Sequence, residues 1–314
     1  MVEPPRTRAD FRAGEHCKEM TVKARAYKVV DVFTATPLQG NPVAVVLDAE
    51  GLDTSAMQRI ARWTNLSETT FVLPAVSPGA DYRLRIFTPR SELPFAGHPT
   101  LGSAHAALEA GRVKPRDGRF MQECGVGRVA LSVQGEGSNR RLTLGLPPAT
   151  VTALRAEEVT ELENVLGQAV VREVAPAVVN VGPVWVVAQL PSVRDLLALA
   201  PDFARCAAFE RRLGATGVTV FAAHDGGDAA IEVRSFAPSS GIDEDPVCGS
   251  GNGSVAVFRR ERGLLPAAGA TYVAAQGQCV GRDGRIAVSV DAAGNVALGG
   301  ACVTCVDGAL FCGG

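Results

Sequence analysis

The chain repeats itself. Arg85-Ile-Phe87-Thr-Pro89 precedes Phe95-Ala-Gly97-His98-Pro99, and Arg234-Ser-Phe236-Ala-Pro238 precedes Val247-Cys-Gly249-Ser250. Both times an alternating segment leaves through Phe-x-Pro, crosses a polar loop and enters a Gly-led helix start. A recurring order of this kind restricts the fold to two copies of one unit, because each copy carries the same succession of period-two and period-3.6 segments. The second copy holds the densest chemistry, Ser239 to Ser254, with Asp243, Glu244, Asp245, Cys248 and several glycines. Carboxylates and bare glycine backbone are poor core material, since buried charge and unpaired amides are costly. The stretch reads as a loop entering a helix whose first N–H groups are free to hold an anion.

The pattern between the repeats is that of an α+β protein. Tyr27 to Phe33 alternates and meets the turn Thr36-Pro-Leu-Gln-Gly40-Asn-Pro42; Val43 to Leu47 is a short apolar run. Asp53 or Thr54 caps a helix bearing Met57, Ile60, Ala61 and Trp63 that ends near Asn65. Strands follow at Thr70 to Pro74 and Tyr82 to Pro89, and Pro99 suits the first position of a helix running to Gly111. Phe120 to Val133 and Arg141 to Leu146 close the first half as strands. In the second half Gly182-Pro-Val-Trp-Val-Val187 echoes Asn41-Pro-Val-Ala-Val-Val46, and Ser192 to Phe203 supplies a helix. Val218 to Ala222 and Ala230 to Phe236 repeat the strand pair, Ser254 to Arg262 the helix, and Thr271 to Val290 with Asn295 to Val303 the closing strands. Pro147-Pro148 marks the boundary. Several strands between helices, at hairpin-like spacing, predict a mostly antiparallel sheet wrapped around a helix in each half. Two such halves about an approximate two-fold bring equivalent loops face to face across a cleft.

Composition narrows the function. At 314 residues the chain exceeds the roughly 100 to 200 of one domain, and a 46% apolar share is ample for two cores. A net charge of -2 argues against a dedicated nucleic-acid binder. The polar, Arg-rich first 24 residues lack a secretory pattern, and no later stretch reaches the roughly 18 uninterrupted apolar residues of a membrane helix. A cytoplasmic protein whose first residues are a disordered extension is expected. Eight scattered cysteines in such a chain are expected to be free thiols. Cys302 and Cys305 have ligand-like spacing, but on a strand they face opposite ways, so no metal or redox role is assigned.

Asp31-Val-Phe-Thr34, Gly40-Asn-Pro-Val-Ala44, Asn65-Leu-Ser-Glu-Thr-Thr-Phe71, Arg85-Ile-Phe-Thr-Pro89, Glu92-Leu-Pro-Phe-Ala-Gly-His-Pro99 and Glu244-Asp-Pro246 with Gly249-Ser250, in this order, resemble the PhzF family. That is the phenazine-biosynthesis isomerase group of the diaminopimelate epimerase fold, and the resemblance runs from about residue 27 to the last strand. It implies two pseudo-symmetric epimerase-like domains, 25–148 and 149–314, with the last strands returning to the first. It also implies no cofactor, a homodimer, and proton-transfer isomerisation of a small carboxylated metabolite, as in phenazine or alkylproline antibiotic biosynthesis. By motif match Glu68 takes the place of the catalytic acid/base, while His98, Asp245 and Ser250 take those of supporting polar groups. Ser67, Gly97 and Gly249 would line the substrate beside Ser250.

The residue types suit that chemistry. Moving a hydrogen along an unsaturated skeleton needs one group that both gives and takes a proton, and a carboxyl in an apolar cleft has its pKa raised toward neutrality. Leu66 and Phe71 are the expected wall around Glu68. Asp245 is placed to orient His98 or bond a substrate amine or hydroxyl; Asp243 and Glu244 are expected to be solvated. Epimerases and racemases of the resembled fold use two thiols, one per half. Cys248 resembles one, but its counterpart is Ala96, which argues against two-thiol racemisation. Two other readings make the chain an amino-acid epimerase using Cys248 with Glu68 or Asp245, or a non-catalytic carboxylate-binding protein.

Overall fold

The computed structural model describes residues 22–313, so the expectation of a disordered extension falls largely outside the described residues. The first strand, β1 (Lys23–Val32), begins earlier than its alternation suggested and takes in the last two residues assigned to that extension. It is followed by β2 (Asn41–Val46), α1 (Thr54–Thr64), β3 (Thr69–Leu73), β4 (Tyr82–Phe87), β5 (Glu92–Leu93), α2 (Gly97–Glu109), β6 (Arg119–Cys124), β7 (Gly127–Gln134), β8 (Arg141–Gly145) and β9 (Thr150–Ala153). The second half, which β9 opens, continues with α3 (Ala156–Leu166), β10 (Ala177–Asn180), β11 (Val184–Gln189), α4 (Val193–Leu197), α5 (Phe203–Leu213), β12 (Gly217–Ala223), β13 (Ile231–Ala237), β14 (Ile242–Asp245), α6 (Gly249–Glu261), β15 (Ala270–Gln276), β16 (Gly284–Val290), β17 (Val296–Gly300) and β18 (Cys302–Cys312).

The duplication is visible in the pairing. β1/β2, β3/β4, β6/β7 and β7/β8 are antiparallel while β2/β3 and β4/β6 are parallel. The second half repeats this with β10/β11, β12/β13, β15/β16 and β16/β17 antiparallel, and β11/β12 and β13/β15 parallel. The two halves are cross-strapped. β18 lies antiparallel to β1 from Lys23↔Cys312 to Val32↔Cys302, and β17 pairs with β8. β9, just past the Pro147-Pro148 boundary, flanks β10 as β18 flanks β1. Cys305 has no partner in that ladder because it sits at the bulge opposite Val29/Val30.

Each half wraps its sheet around one helix. A β-carbon on Gly102 of α2 would lie 2.3 Å from Val43 Cγ1 and 2.9 Å from Val32 Cγ2, so glycine lets the helix sit against β1 and β2. Val30, Val32 and Val43 are fully buried there, each contributing about 1.5–3 kcal/mol of transfer free energy. On the outer face α1 covers the first half, with Ala56, Met57, Ile60 and Ala61 turned inward under an Asp53 cap and an Asn65 αL terminus. Trp63, expected among these apolar positions, instead lies on the solvent side, 75% exposed.

The second half is covered more heavily than its sequence suggested. The single helix expected over 192–203 is two, because Pro201 has no N–H to continue a helix and Asp202 caps a new one through the Arg205 amide. α5 answers to α1, its Asp202 cap and Gly214 αL terminus standing where α1 has Asp53 and Asn65, whereas α3 and α4 have no counterpart among the described elements of the first half. α3 and α5 build an outer core with Leu162, Val165, Phe209 and Phe236. The glycine-rich stretch is also less of a loop than expected, since β14 and the first turns of α6 occupy most of it. Glu244 is not solvated. It forms a bidentate pair with Arg234 at 3.0 and 2.7 Å, both side chains under a tenth exposed.

The echo between the halves is shifted by one residue from its sequence reading. Val43 and Val45 face the inner core and Val46 the outer one, whereas Trp185 and Val187 face inward and Val186 and Ala188 outward. A one-residue slip exchanges the faces of a strand. The structural match therefore sets Gly182 on Gly40 and Trp185 on Val43, rather than Gly182 on Asn41.

Candidate active site

Glu68 is placed by the end of α1 and the start of β3. Its backbone carbonyl accepts from Ala44 N at 3.3 Å, which fixes the parallel β2/β3 register. Strand alternation then puts residues 68 and 70 on the inner face. Thr70 Oγ1 lies 2.7 Å from Ser103 Oγ of α2, so Glu68 projects beside the start of that helix. Phe71, expected to wall the carboxyl, belongs to the opposite face and packs edge-on to Phe87 at 5.4 Å in the core under α1.

His98 is the second residue of α2; Gly97 precedes it, and Pro99 stands third in the helix rather than first. Its Nε2 is 3.4 Å from Glu68 Oε2 without hydrogen-bonding geometry. Both atoms are buried and have no hydrogen-bond partner among the described residues. Two convergent polar atoms left open in a buried place have the character of a binding site rather than of a finished core.

The second half supplies Asp245 at the end of β14. Its Oδ1 accepts from Asn41 Nδ2 at 2.9 Å and from Val247 N at 3.1 Å, so a first-half strand fixes a second-half carboxylate. Gln276 holds the loop from behind: Nε2 donates to the Asp245 carbonyl, and Oε1 accepts from Cys248 N and Asn252 Nδ2. The starts of α2 and α6 adjoin each other. A β-carbon on Gly249 would lie 3.4 Å from the Phe33 ring and 3.8 Å from the His98 amide, whereas one on Gly97 would meet nothing within 4 Å. Two helix N-termini with unpaired amides thus converge, an arrangement that favours an anion.

Burial sets the protonation states. It pushes the Glu68 carboxyl up to about 7, with the Ser67 hydroxyl partly offsetting the rise. Burial also lifts Asp245 to about 6, His98 pulling it down and Glu68 pushing it up. His98 is lowered to about 4 by burial, against the opposing pull of Asp245 and the Pro42 carbonyl. Near neutrality the imidazole is uncharged, Asp245 is mostly ionised, and Glu68 exchanges its proton readily. Cys248 caps α6 by accepting the Gly251 amide through Sγ at 3.2 Å. Burial, then the Asp245 charge, hold its thiol well above the ordinary value, so it stays protonated. Ala96 occupies the matching cap of α2, so the paired-thiol geometry is absent.

The structure brings Glu68, His98, Asp245, Gly97, Gly249 and Ser250 into one neighbourhood, with Ser67 adjoining Glu68. Sequence reasoning missed Asn41, Gln276, Trp185 and Phe33. Of these Asn41 and Phe33 lie in blocks singled out by resemblance; Phe33 adopts φ 67°, a strained choice for a bulky residue, and is fully buried. Gln276 and Trp185 carried no signal. A cavity of about 320 Å³ behind the loop touches the site only through Gln276. Most of its charges are paired, His224 with Glu232 at 3.2 Å and Arg285 with Asp228 at 2.9 Å, while Arg282 donates to the Leu38 carbonyl, and it is not the reactive centre.

Residues 30–308 match the family described as phenazine biosynthesis-like protein. The chain is 40% identical over 294 residues to antisense-enhancing sequence 1 of Schizosaccharomyces pombe, covering 91% of this chain and 98% of that protein. It is 38% identical to the trans-2,3-dihydro-3-hydroxyanthranilate isomerase of Pseudomonas chlororaphis over 76% of this chain and 81% of the relative. A Bacillus anthracis crystal structure of the PhzF family superimposes with a TM-score of 0.83 at 22% identity, covering 92% of this chain and all of that one. No helix among the described residues is long and apolar enough to cross a membrane.

Proposed function

Because the chain belongs to the phenazine biosynthesis-like family and is an isomerase, we propose that it shifts a proton along the skeleton of a small unsaturated carboxylic acid, with Glu68 as the acid/base. The observation that carries this reading is the open Glu68 Oε2, buried, 3.4 Å from His98 Nε2 and raised to about 7. As a carboxylate, Glu68 takes a proton from the saturated carbon next to the unsaturated system. The electron pair delocalises along the double bonds. The neutral carboxyl then returns the proton at the far carbon. One carboxyl serves one face of the substrate, so removal and return occur on the same face. His98, uncharged, bonds a substrate polar group, and the α2 and α6 N-termini hold the carboxylate. Proton transfer of this kind needs no cofactor.

The relative named for trans-2,3-dihydro-3-hydroxyanthranilate supports that compound as the first substrate to assay. In deuterated buffer the wild-type protein should convert it, and the isotope content of product should show whether the proton exchanges with solvent during transfer. Glu68→Gln should cut turnover by about 10³-fold, in keeping with loss of a general acid/base. Undiminished turnover in Glu68→Gln would end the assignment.

A further inference from the structure

The two halves put different groups in equivalent places. Thr69 stands opposite Phe87 and Val218 opposite Phe236, the Phe of each repeat, so the residue before each, Glu68 and Gly217, correspond. The parallel ladders agree, with Ala44 beside Thr69 and Trp185 beside Gly217 once Trp185 is matched to Val43. No side chain fits at 217: a β-carbon there would lie 2.5 Å from Trp185 Cζ3 and 2.3 Å from the Phe236 carbonyl oxygen. The indole fills the space that answers to the Glu68 carboxyl. Its Nε1 donates to Ser250 Oγ at 3.0 Å, and Ser250 is the counterpart of His98, the second residue of a Gly-led helix.

An indole N–H only donates, while a hydroxyl has one proton and two lone pairs. With one lone pair of Ser250 Oγ taken by Trp185, the hydroxyl proton is directed elsewhere. Cys248 Sγ is in hydrogen-bonding contact at 3.7 Å, with either atom able to donate, but as a weak acceptor that already takes the Gly251 amide it competes poorly with a ligand for the hydroxyl proton. A carboxylate, which only accepts, is the ligand group that such a hydroxyl suits. We propose that Trp185 is a positioning residue that presents Ser250 as a donor to the substrate carboxylate, so that the second half adds a side-chain donor to the grip of the two helix N-termini while Glu68 of the first half moves the proton. This rests on the isomerase reading for its substrate class, yet it concerns binding alone.

Trp185 is one of two tryptophans, and the other, Trp63, is exposed on α1 away from the site. In Trp63→Phe protein, Trp185 therefore reports alone. Cyclohex-1-ene-1-carboxylate, transparent where indole is excited, should alter its emission saturably, and the matching carboxamide should bind about tenfold more weakly, as expected when a charged acceptor is lost. Trp185→Phe and Ser250→Ala should each weaken carboxylate binding by about tenfold in calorimetry, and the double variant should be no weaker than either, because both remove one device. Additive losses, or Trp185→Phe binding as tightly as the parent, would overturn the proposal. Should Trp185→Phe not fold, an indole emission indifferent to the carboxylate, or a response unchanged by Ser250→Ala, overturns it equally. Loss of the Glu68 assignment leaves these binding results standing, and intact Glu68-dependent turnover with unchanged binding in Trp185→Phe sinks only the indole's role.

Discussion

Asn41 of the first half donates through one amide nitrogen to both Asp245 Oδ1 and the Val247 carbonyl of the second, each at 2.9 Å. The residue is almost fully buried, so neither acceptor finds water when the amide is removed. Asn41→Ala should cost about 1–3 kcal/mol in denaturant unfolding, because the Val247 carbonyl loses its buried donor and Asp245 Oδ1 keeps only the Val247 amide. Turnover should fall with it, since Asp245 loses its fixed direction. Asn41→Ala matching wild type in both would show the bond to be incidental.

Glu68 makes stability depend on pH in a defined direction. Its folded pKa, about 7, lies above the ordinary 4.5, so the folded state holds the proton more tightly and wild type loses stability as pH rises between those values. An amide at this position does not titrate and has no such loss. The stability difference between Glu68→Gln and wild type should therefore move in favour of the variant by about 3 kcal/mol from about pH 4.5 to about pH 8, the amount that a shift of this size represents. Parallel urea midpoints across that range would contradict the buried, raised carboxyl.

The Ser67 hydroxyl, buried and without a hydrogen-bond partner among the described residues, adjoins the Glu68 carboxyl and opposes its rise by favouring the charged form. Ser67→Ala should push the carboxyl higher still, moving the ascending limb of kcat/KM toward alkaline pH. A limb that stays put, or moves to acid, would mean that Ser67 does not act on Glu68.

The repeated Arg–Glu pairs offer an internal comparison. Arg234 with Glu244 is 7% and 8% exposed, while Arg85 with Glu92 is 17% and 38% exposed. Arg234 also donates to the Leu196 and Leu199 carbonyls at the end of α4. Arg234→Met should cost about 3–5 kcal/mol by leaving a buried charge unpaired. Arg85→Met should cost about 1 kcal/mol, as for a solvent-screened pair. Thermal or urea unfolding of the two variants checks the ranking.

Cys248 acts here as a cap. Cys248→Ser keeps an acceptor for the Gly251 amide and should retain turnover within a few-fold, whereas Cys248→Ala should lose about 1 kcal/mol of stability. Abolition of turnover in Cys248→Ser alone would revive thiol chemistry.

Much of this was legible because the repeat is written in residues with narrow backbone preferences. Arg-x-Phe-x-Pro and the Gly-led helix starts fixed where each half turns, and Glu68, His98 and Asp245 were placed by the blocks around them. What escaped depended on facing. Trp185 looked like the counterpart of Ala44 because the letters align that way, and only the core each residue enters shows the shift. Glu244 looked solvated because its partner, Arg234, is ten residues away on a neighbouring strand. The break between α4 and α5 is carried by the sequence itself, in Pro201 with its missing amide hydrogen and in the Asp202 cap that follows.

The pairing of β18 with β1 has a consequence for how the chain is made. On the ribosome the half bearing Glu68 emerges first, yet one flank of β1 stays bare until Cys302–Cys312 has been translated. Lys28 likewise waits for Asp307, and Glu109 for Thr304. An exposed strand flank invites mispairing. The earlier-born half therefore cannot mature ahead of its twin, and nascent chains halted before codon 302 should be those most dependent on chaperones.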